Sequence, residues 1–202
     1  PTKVPTKEKD KINTMYPYAF TKWQAEELIM HWVKIYNLPA NSLRFFNAYG
    51  ARSRTSGAYG AVFGVFLAQK LAGKPLTIVG NGEQTRDFIH VDDLVRAIFK
   101  TALSKKIGEI YNVGGGKEIK VNLISKLIGG KKIYIPKRPG EPKRSLADIS
   151  KIKKDLNWRP KIKIEEGIKD LLSKIEYWKN APVWTPKSIR KATKTWFKLL
   201  SK

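Results

Sequence analysis

At 202 residues, 42% of them hydrophobic and 11% aromatic, the chain can bury a core in one domain or two small lobes, which excludes a wholly disordered polymer. It has no cysteine, which excludes disulfides and thiolate metal sites and fits a reducing, cytoplasmic setting; around its two histidines the sequence builds no Ser/His/Asp or His-based metal arrangement. The net charge of +23 splits into +6 over residues 1–100 (14 basic, 8 acidic) and +17 over 101–202 (26 basic, 9 acidic). Such a bias raises nucleic acid as a partner, but the excess is Lys dispersed along helices without a recognised binding module, so it reads as a solvated surface.

Residues 1–15 are polar and Pro/Lys-rich, with no apolar h-region for a signal peptide. They lack an initiator Met, which suggests a start partway through a longer protein. A helix is expected from Pro17, placed as an early helical residue, to Tyr36, ended by Asn37-Leu38-Pro39. Ser42–Asn47 reads as a buried strand and Tyr49–Gly57 as a loop carrying Arg52 and Arg54. Gly60–Leu71 reads as a buried helix; its apolar run, Ala61–Ala68, is too short for a membrane span. Leu76–Val79 and Arg86–Val91 read as strands, with Asp92-Asp93 opening a helix over Leu94–Leu103. Glu109–Val113 is a strand running into Gly114-Gly115-Gly116.

A helix near Val121–Ile128 and a strand over Lys132–Ile135 follow. Pro136–Pro142 is a loop, and Asp148 is placed to cap a helix over Ile149–Leu156. Lys161–Ile164 is extended. Glu165–Tyr177 carries Ile168, Leu171, Leu172 and Ile175 at helical spacing, and Ser188–Leu200 has an apolar face of Ile189, Ala192, Trp196, Phe197 and Leu200. Strands alternating with helices argue an α/β fold.

Tyr18 and Lys22 stand four apart, so a phenol and an ammonium share one helical face. With 8 Tyr and 31 Lys, about one such pair arises by chance, so the spacing alone carries no weight. Gly114-Gly115-Gly116 follows a strand, where phosphate loops occur, but G-x-G-x-x-G spacing is absent here and elsewhere, and the stretch reads as a turn. His31 and His90 read as structural. Arg86 and Arg138, and with less support Arg52 and Arg54, sit in loops beside strands, where a guanidinium fork suits a diphosphate. Glu141 follows Arg138 by three residues and would add a carboxylate for a sugar diol.

The order of segments carries a resemblance: Tyr18-x-x-x-Lys22; Arg44-Phe45-Phe46-Asn47-Ala48-Tyr49-Gly50; Leu76–Gly82 running into Thr85-Arg86-Asp87-Phe88-Ile89-His90-Val91-Asp92-Asp93; Tyr111-Asn112-Val113-Gly114; Arg138-Pro139-Gly140-Glu141; and Leu156-Asn157-Trp158-Arg159-Pro160. Over residues 1–180 the chain resembles the C-terminal portion of the extended short-chain dehydrogenase/reductase family, within it the NAD-dependent nucleotide-sugar epimerases and dehydratases, and most closely the UDP-glucose 4-epimerase-like members.

The resemblance implies the C-terminal part of a Rossmann-type fold plus the smaller α/β substrate lobe. Residues 1–55 would be a remnant of the NAD lobe. Residues 56–180 would be mainly the nucleotide-sugar lobe, with the strands near 86–91 and 109–113 returning to the NAD lobe. Residues 181–202 would form a basic C-terminal helix.

For function, it implies Tyr18 as acid and base at a sugar hydroxyl and Lys22 holding the nicotinamide ribose. Phe46 would line the NAD site and Asn47 would contact the diphosphate of a UDP-sugar. Thr77, Ile78 and Val79 would border the base, Arg86 and Arg138 would clamp the diphosphate, and Glu141 would hold the ribose hydroxyls. A phenol is mostly protonated at neutral pH, and a nearby ammonium favours its anion. A 4-epimerase is the leading expectation, with a 4,6-dehydratase, decarboxylase or reductase of the same fold as the alternative. A non-catalytic sugar-nucleotide binder and a basic nucleic-acid binder are the readings outside enzymology. A homodimer follows by analogy.

The family's glycine-rich fingerprint, ribose-reading acid and catalytic Ser/Thr would precede Tyr18 and are absent, so these 202 residues alone are expected to bind NAD poorly and to be inactive. Ala51, where Pro is usual, and Asn81, where Asp is common, are lesser departures.

Overall fold

A computed structural model describes residues 3–15, 17–53, 55 and 62–200. The chain divides into two compact units: one from residues 1–48, 87–117 and 145–161, the other from 49–86, 118–144 and 162–202. The chain therefore passes between units near 48, 86, 117, 144 and 161, and residues 181–202 belong to the second unit rather than standing apart.

In the first unit, helix α1 spans Pro17–Tyr36. Its first turn is tightened by Thr21 Oγ1, which donates to the Tyr18 carbonyl at 2.9 Å. It ends at Asn37, whose φ of 52° is the left-handed conformation that Asn tolerates best after Gly. Strand β1 (Ser42–Phe45) runs parallel to β5 (Ile110–Val113), with Leu43 opposite Tyr111 and Phe45 opposite Val113. The expected single strand over 42–47 is interrupted at Phe46, and β2 (Asn47–Tyr49) begins after it, taking Tyr49 out of the expected loop.

Strand β4 (Thr85–His90) leads directly into α3 (Val91–Ala102). Its N-cap is His90, whose side chain accepts from the Asp92 backbone N–H, so Asp92 and Asp93 lie inside the first turn, one step later than expected. Helix α5 covers Ser150–Leu156, and Asp148 acts one residue earlier than foreseen, its Oδ1 accepting from the Ser150 N–H at 2.9 Å. The core gathers Ile89, Leu94, Ala97, Tyr111, Val113, Ala147, Ile149, Ile152 and Trp158, with Leu43, Phe46 and Leu156 packed on it.

In the second unit, α2 (Val62–Leu71) packs on β3 (Leu76–Val79), α4 (Val121–Ile128) and a 3-10 turn, Ile175–Trp178. The expected start of that first helix, Gly60, lies outside the described residues. β3 pairs in parallel with β7 (Lys132–Ile135), Thr77 opposite Ile133. A short strand, β6 (Glu118–Lys120), precedes α4. The helix expected over 165–177 is α6 (Ile164–Ser173), and the 3-10 turn completes it.

Helix α7 (Pro186–Leu200) starts with a reciprocal cap. The Ser188 N–H donates to Thr185 Oγ1 at 3.2 Å, and the Thr185 N–H donates to Ser188 Oγ at 2.8 Å. Pro186 occupies the first helical position, where its missing N–H costs nothing.

Candidate active site

Tyr18, Lys22, Phe46 and Asn47 belong to the first unit; Thr77, Ile78, Val79, Arg86, Arg138 and Glu141 belong to the second. Tyr18 is 73% exposed, and the Lys22 ammonium lies 5.6 Å from its ring centre. The pair therefore sits on one face of α1 as the i, i+4 spacing requires, and it offers an accessible phenol with a cation beside it.

What holds the pair in place was not evident from the sequence. The buried residue of α1 is Glu26. Its carboxylate accepts from Arg44 Nη2 at 2.6 Å, from Arg44 Nε at 2.9 Å and from Ser42 Oγ at 2.8 Å. Burial pushes the Glu26 carboxyl up, but the Arg44 and Ser42 hydrogen bonds and the Arg44 charge outweigh it and hold it below its ordinary value. A bidentate ion pair thus seats the Tyr18 helix on β1. The available clue was Arg44 itself, a lone cation between Leu43 and Phe45 in a short strand. Phe46 is half-buried against the core, whereas Asn47 is exposed.

The glycine turn after β5 is not open to an anion. The Asp87 carboxylate accepts from the N–H groups of Gly115 at 2.6 Å, Gly116 at 3.1 Å and Ala147 at 2.9 Å. Those donors are the ones a phosphate would require, so the turn reading holds. A Cβ at Gly115 would collide with the Phe88 carbonyl, which is why glycine stands there.

In the second unit, Arg86, Arg138 and Glu141 come together. Arg138 Nη1 is 3.4 Å and Arg86 Nη2 3.9 Å from the same oxygen, Glu141 Oε1. Arg86 also donates to the carbonyls of Thr85 at 2.8 Å and Pro142 at 2.9 Å. Burial lowers the Arg86 guanidinium pKa, Glu141 opposes this, and neighbouring Arg138 lowers it further. Two forks converge on one carboxylate, leaving a net positive cluster shaped for paired oxyanions.

The strand residues are placed differently from expectation in their side chains. Thr77 Oγ1 accepts from Gln69 Nε2 at 2.8 Å, and Ile78 is fully buried. Val79 alone of the three is partly exposed. Arg52 stacks its guanidinium 5.6 Å from the Tyr177 ring centre, and Arg54 lies outside the described residues. His31 is exposed on α1. Among the described residues, no group of three or more His, Asp and Glu side chains gathers to hold a metal ion, and no helix is long and apolar enough to cross a membrane.

The chain thus combines parallel strand pairs with an exposed Tyr-x-x-x-Lys helix and a paired-arginine cluster. The chain belongs to the GDP-mannose 4,6 dehydratase family, whose model matches residues 1–171.

It is 37% identical over 179 residues to a putative UDP-glucose 4-epimerase of Methanocaldococcus jannaschii, covering 86% of this chain and 57% of that protein. It is 39% identical over 174 residues to a UDP-glucuronate 4-epimerase of Thermodesulfobacterium geofontis, covering 82% and 52%. Among solved structures, it is similar to the Thermotoga maritima UDP-glucose 4-epimerase with UDP-glucose (TM-score 0.79, 34% identity, 87% of this chain and 57% of that one). It is also similar to the Bacillus cereus UDP-glucuronic acid 4-epimerase with UDP-glucuronic acid and NAD (TM-score 0.76, 34% identity, 86% and 55%). The chain spans about half the length of the relatives it matches.

Proposed function

We propose that this chain is part of an NAD-dependent nucleotide-sugar 4-epimerase acting on a UDP-sugar in cytoplasmic carbohydrate metabolism. The observation that carries the reading is the convergence of Arg86 and Arg138 on Glu141, in a chain related to enzymes of UDP-sugars.

The fit to NAD is partial. Tyr18 and Lys22 offer an exposed phenol and ammonium, and Phe46, packed on the core of the same unit, would line the site, whereas the glycine turn at 114–116 cannot cradle phosphates because Asp87 holds its N–H groups. When bound, NAD would accept a hydride from the sugar C4 and return it. Tyr18 Oη takes the C4 hydroxyl proton as that carbon is oxidised to a ketone, and gives it back when the carbonyl is reduced on the opposite face. Lys22 would bind the nicotinamide ribose. Within the second unit, Arg86 and Arg138 bind the diphosphate, Glu141 binds the ribose hydroxyls, and Val79, with the strand that bears Thr77 and Ile78, borders the base.

A homodimer through α1 belongs to the same proposal. Leu28, Trp32 and Ile35 are exposed there at 59%, 50% and 54%, and a second copy would cover them.

The test is product analysis with UDP-glucose and NAD, using protein from the complete reading frame that carries this chain. UDP-galactose is the expected product. A 4-keto-6-deoxy sugar would instead establish the dehydratase reading, which is favoured by 30% identity over 167 residues to an Escherichia coli dTDP-glucose 4,6-dehydratase. No turnover of UDP-glucose or of dTDP-glucose would refute both.

A further inference from the structure

We propose that α7 forms one wall of the site for the nucleotide end of the substrate, so that residues beyond the family match hold the base. This rests on the sugar-nucleotide reading above. A cavity of about 310 Å³ lies in the second unit, with Ile135, Pro136 and Arg138 on one side and Ile189, Lys194 and Phe197 of α7 on the other. That is within the size range of small-molecule sites.

Three features select its occupant. First, Arg138 belongs both to this cavity and to the cluster with Arg86 and Glu141, so whatever fills the cavity adjoins the diphosphate. Second, the lining is mostly carbon. A hexose would bury hydroxyls without partners there, whereas a flat heterocycle presents an apolar face. The one uncharged polar side chain in the lining, Thr193, already donates its hydroxyl to the Ile189 carbonyl at 2.9 Å. Third, Arg190 and Lys194 both line the cavity, one helical turn apart on the same face of α7, and no Asp or Glu joins them. The occupant is therefore an apolar ring joined to an anion, which is a nucleoside diphosphate.

Helix α7 is fixed for this role. Trp196 Nε1 donates to the Pro139 carbonyl at 3.0 Å, inside the Arg138–Glu141 loop, and Gln69 Nε2 holds the Trp184 carbonyl at 2.7 Å just before the helix. The family model ends at residue 171, so nothing in that match assigns the helix a part. The placement also answers a need: Thr77 and Ile78 turn their side chains into the core, leaving the base short of a wall.

The experiment is calorimetric titration of the 202-residue chain with UDP and, separately, inorganic diphosphate, for the unaltered protein, Phe197→Ala, the pair Arg190→Ala/Lys194→Ala, and Arg86→Ala. The expected result is a loss of about tenfold in UDP affinity for Phe197→Ala, the scale of one base–aromatic contact, with diphosphate affinity unchanged. The Arg190/Lys194 pair should weaken both ligands. Those two side chains are exposed, so that variant decides the matter if Phe197→Ala loosens the helix and lowers the melting temperature.

UDP binding that Arg86→Ala destroys but the α7 variants leave intact would overturn this inference and leave the sugar-nucleotide reading standing. No UDP binding by the unaltered chain would overturn this inference.

Discussion

Replacing Asp87 should cost several kcal/mol of stability. Its side chain is fully buried, and its carboxylate accepts from three backbone N–H groups, those of Gly115, Gly116 and Ala147. Gly116 is exposed, so in Asp87→Ala its N–H returns to water at little cost. Ala147 is 3% exposed and Gly115 is half-buried, and both lose their acceptor. Each orphaned buried donor costs ~1–3 kcal/mol, which gives a loss of about 3–5 kcal/mol. Domains of this kind hold ~5–15 kcal/mol in total, and at ~2–4 °C per kcal/mol for a chain of this length the melting point should fall by about 10–15 °C. Asp87→Asn keeps the shape and one acceptor but turns an NH2 toward the donors, and should lose about 2 kcal/mol. Urea denaturation followed by fluorescence of the six tryptophans measures both variants. An Asn variant within about 0.5 kcal/mol of the unaltered protein, the range of an indifferent surface change, would refute the reasoning. The glycine turn would then have to be reconsidered as a free anion site.

Arg86→Ala should weaken UDP by about 10- to 150-fold, since a lost charged bond is worth ~1.5–3 kcal/mol, while Arg86→Lys should fall between, keeping the charge without the fork; equal affinities in calorimetry would remove the clamp from the mechanism. Tyr18→Phe should reduce turnover by the complete protein by ~10²–10⁴-fold, the scale of general acid–base catalysis, with UDP affinity unchanged; retained turnover would exclude Tyr18 as the proton carrier. The Glu118 carboxyl is held down at about 2 by its hydrogen bonds from Arg144 and then Thr85. A lowered carboxyl stabilises the fold above its unfolded pKa of ~4.3 and loses that contribution as pH falls toward 2. The gap between the unaltered protein and Glu118→Gln should therefore be constant from pH 7 to 5 and close as pH falls toward 2; a gap undiminished at pH 2 would contradict it. Lacking the dinucleotide fingerprint, and with Asp87 on the glycine turn at 114–116, the chain should not enhance NADH fluorescence at micromolar concentration; micromolar binding would show that the residues here suffice for the cofactor.

Sequence by itself determined the alternation of strands and helices, because the apolar runs at 76–79 and 110–113 and the Pro, Gly and Asn stops around them are local signals. It also brought Tyr18 and Lys22 to one face, since i and i+4 adjacency is a property of any helix. Boundaries slipped where a side chain settled them: His90 rather than an aspartate caps α3, and Asp148 reaches Ser150 from one residue further out.

Tertiary structure alone decided which polar groups meet. Glu26 and Arg44 are 18 residues apart, Asp87 and Ala147 are 60 apart, and Trp196 and Pro139 are 57 apart. No periodicity encodes such pairs, because each depends on where two distant segments cross once the core has closed. The same closure turned Thr77 and Ile78 inward and set α7 across from Arg138. Charge and composition can say that a basic helix exists. Only packing can say that its Arg190 and Lys194 share a cavity with the arginine that faces Glu141.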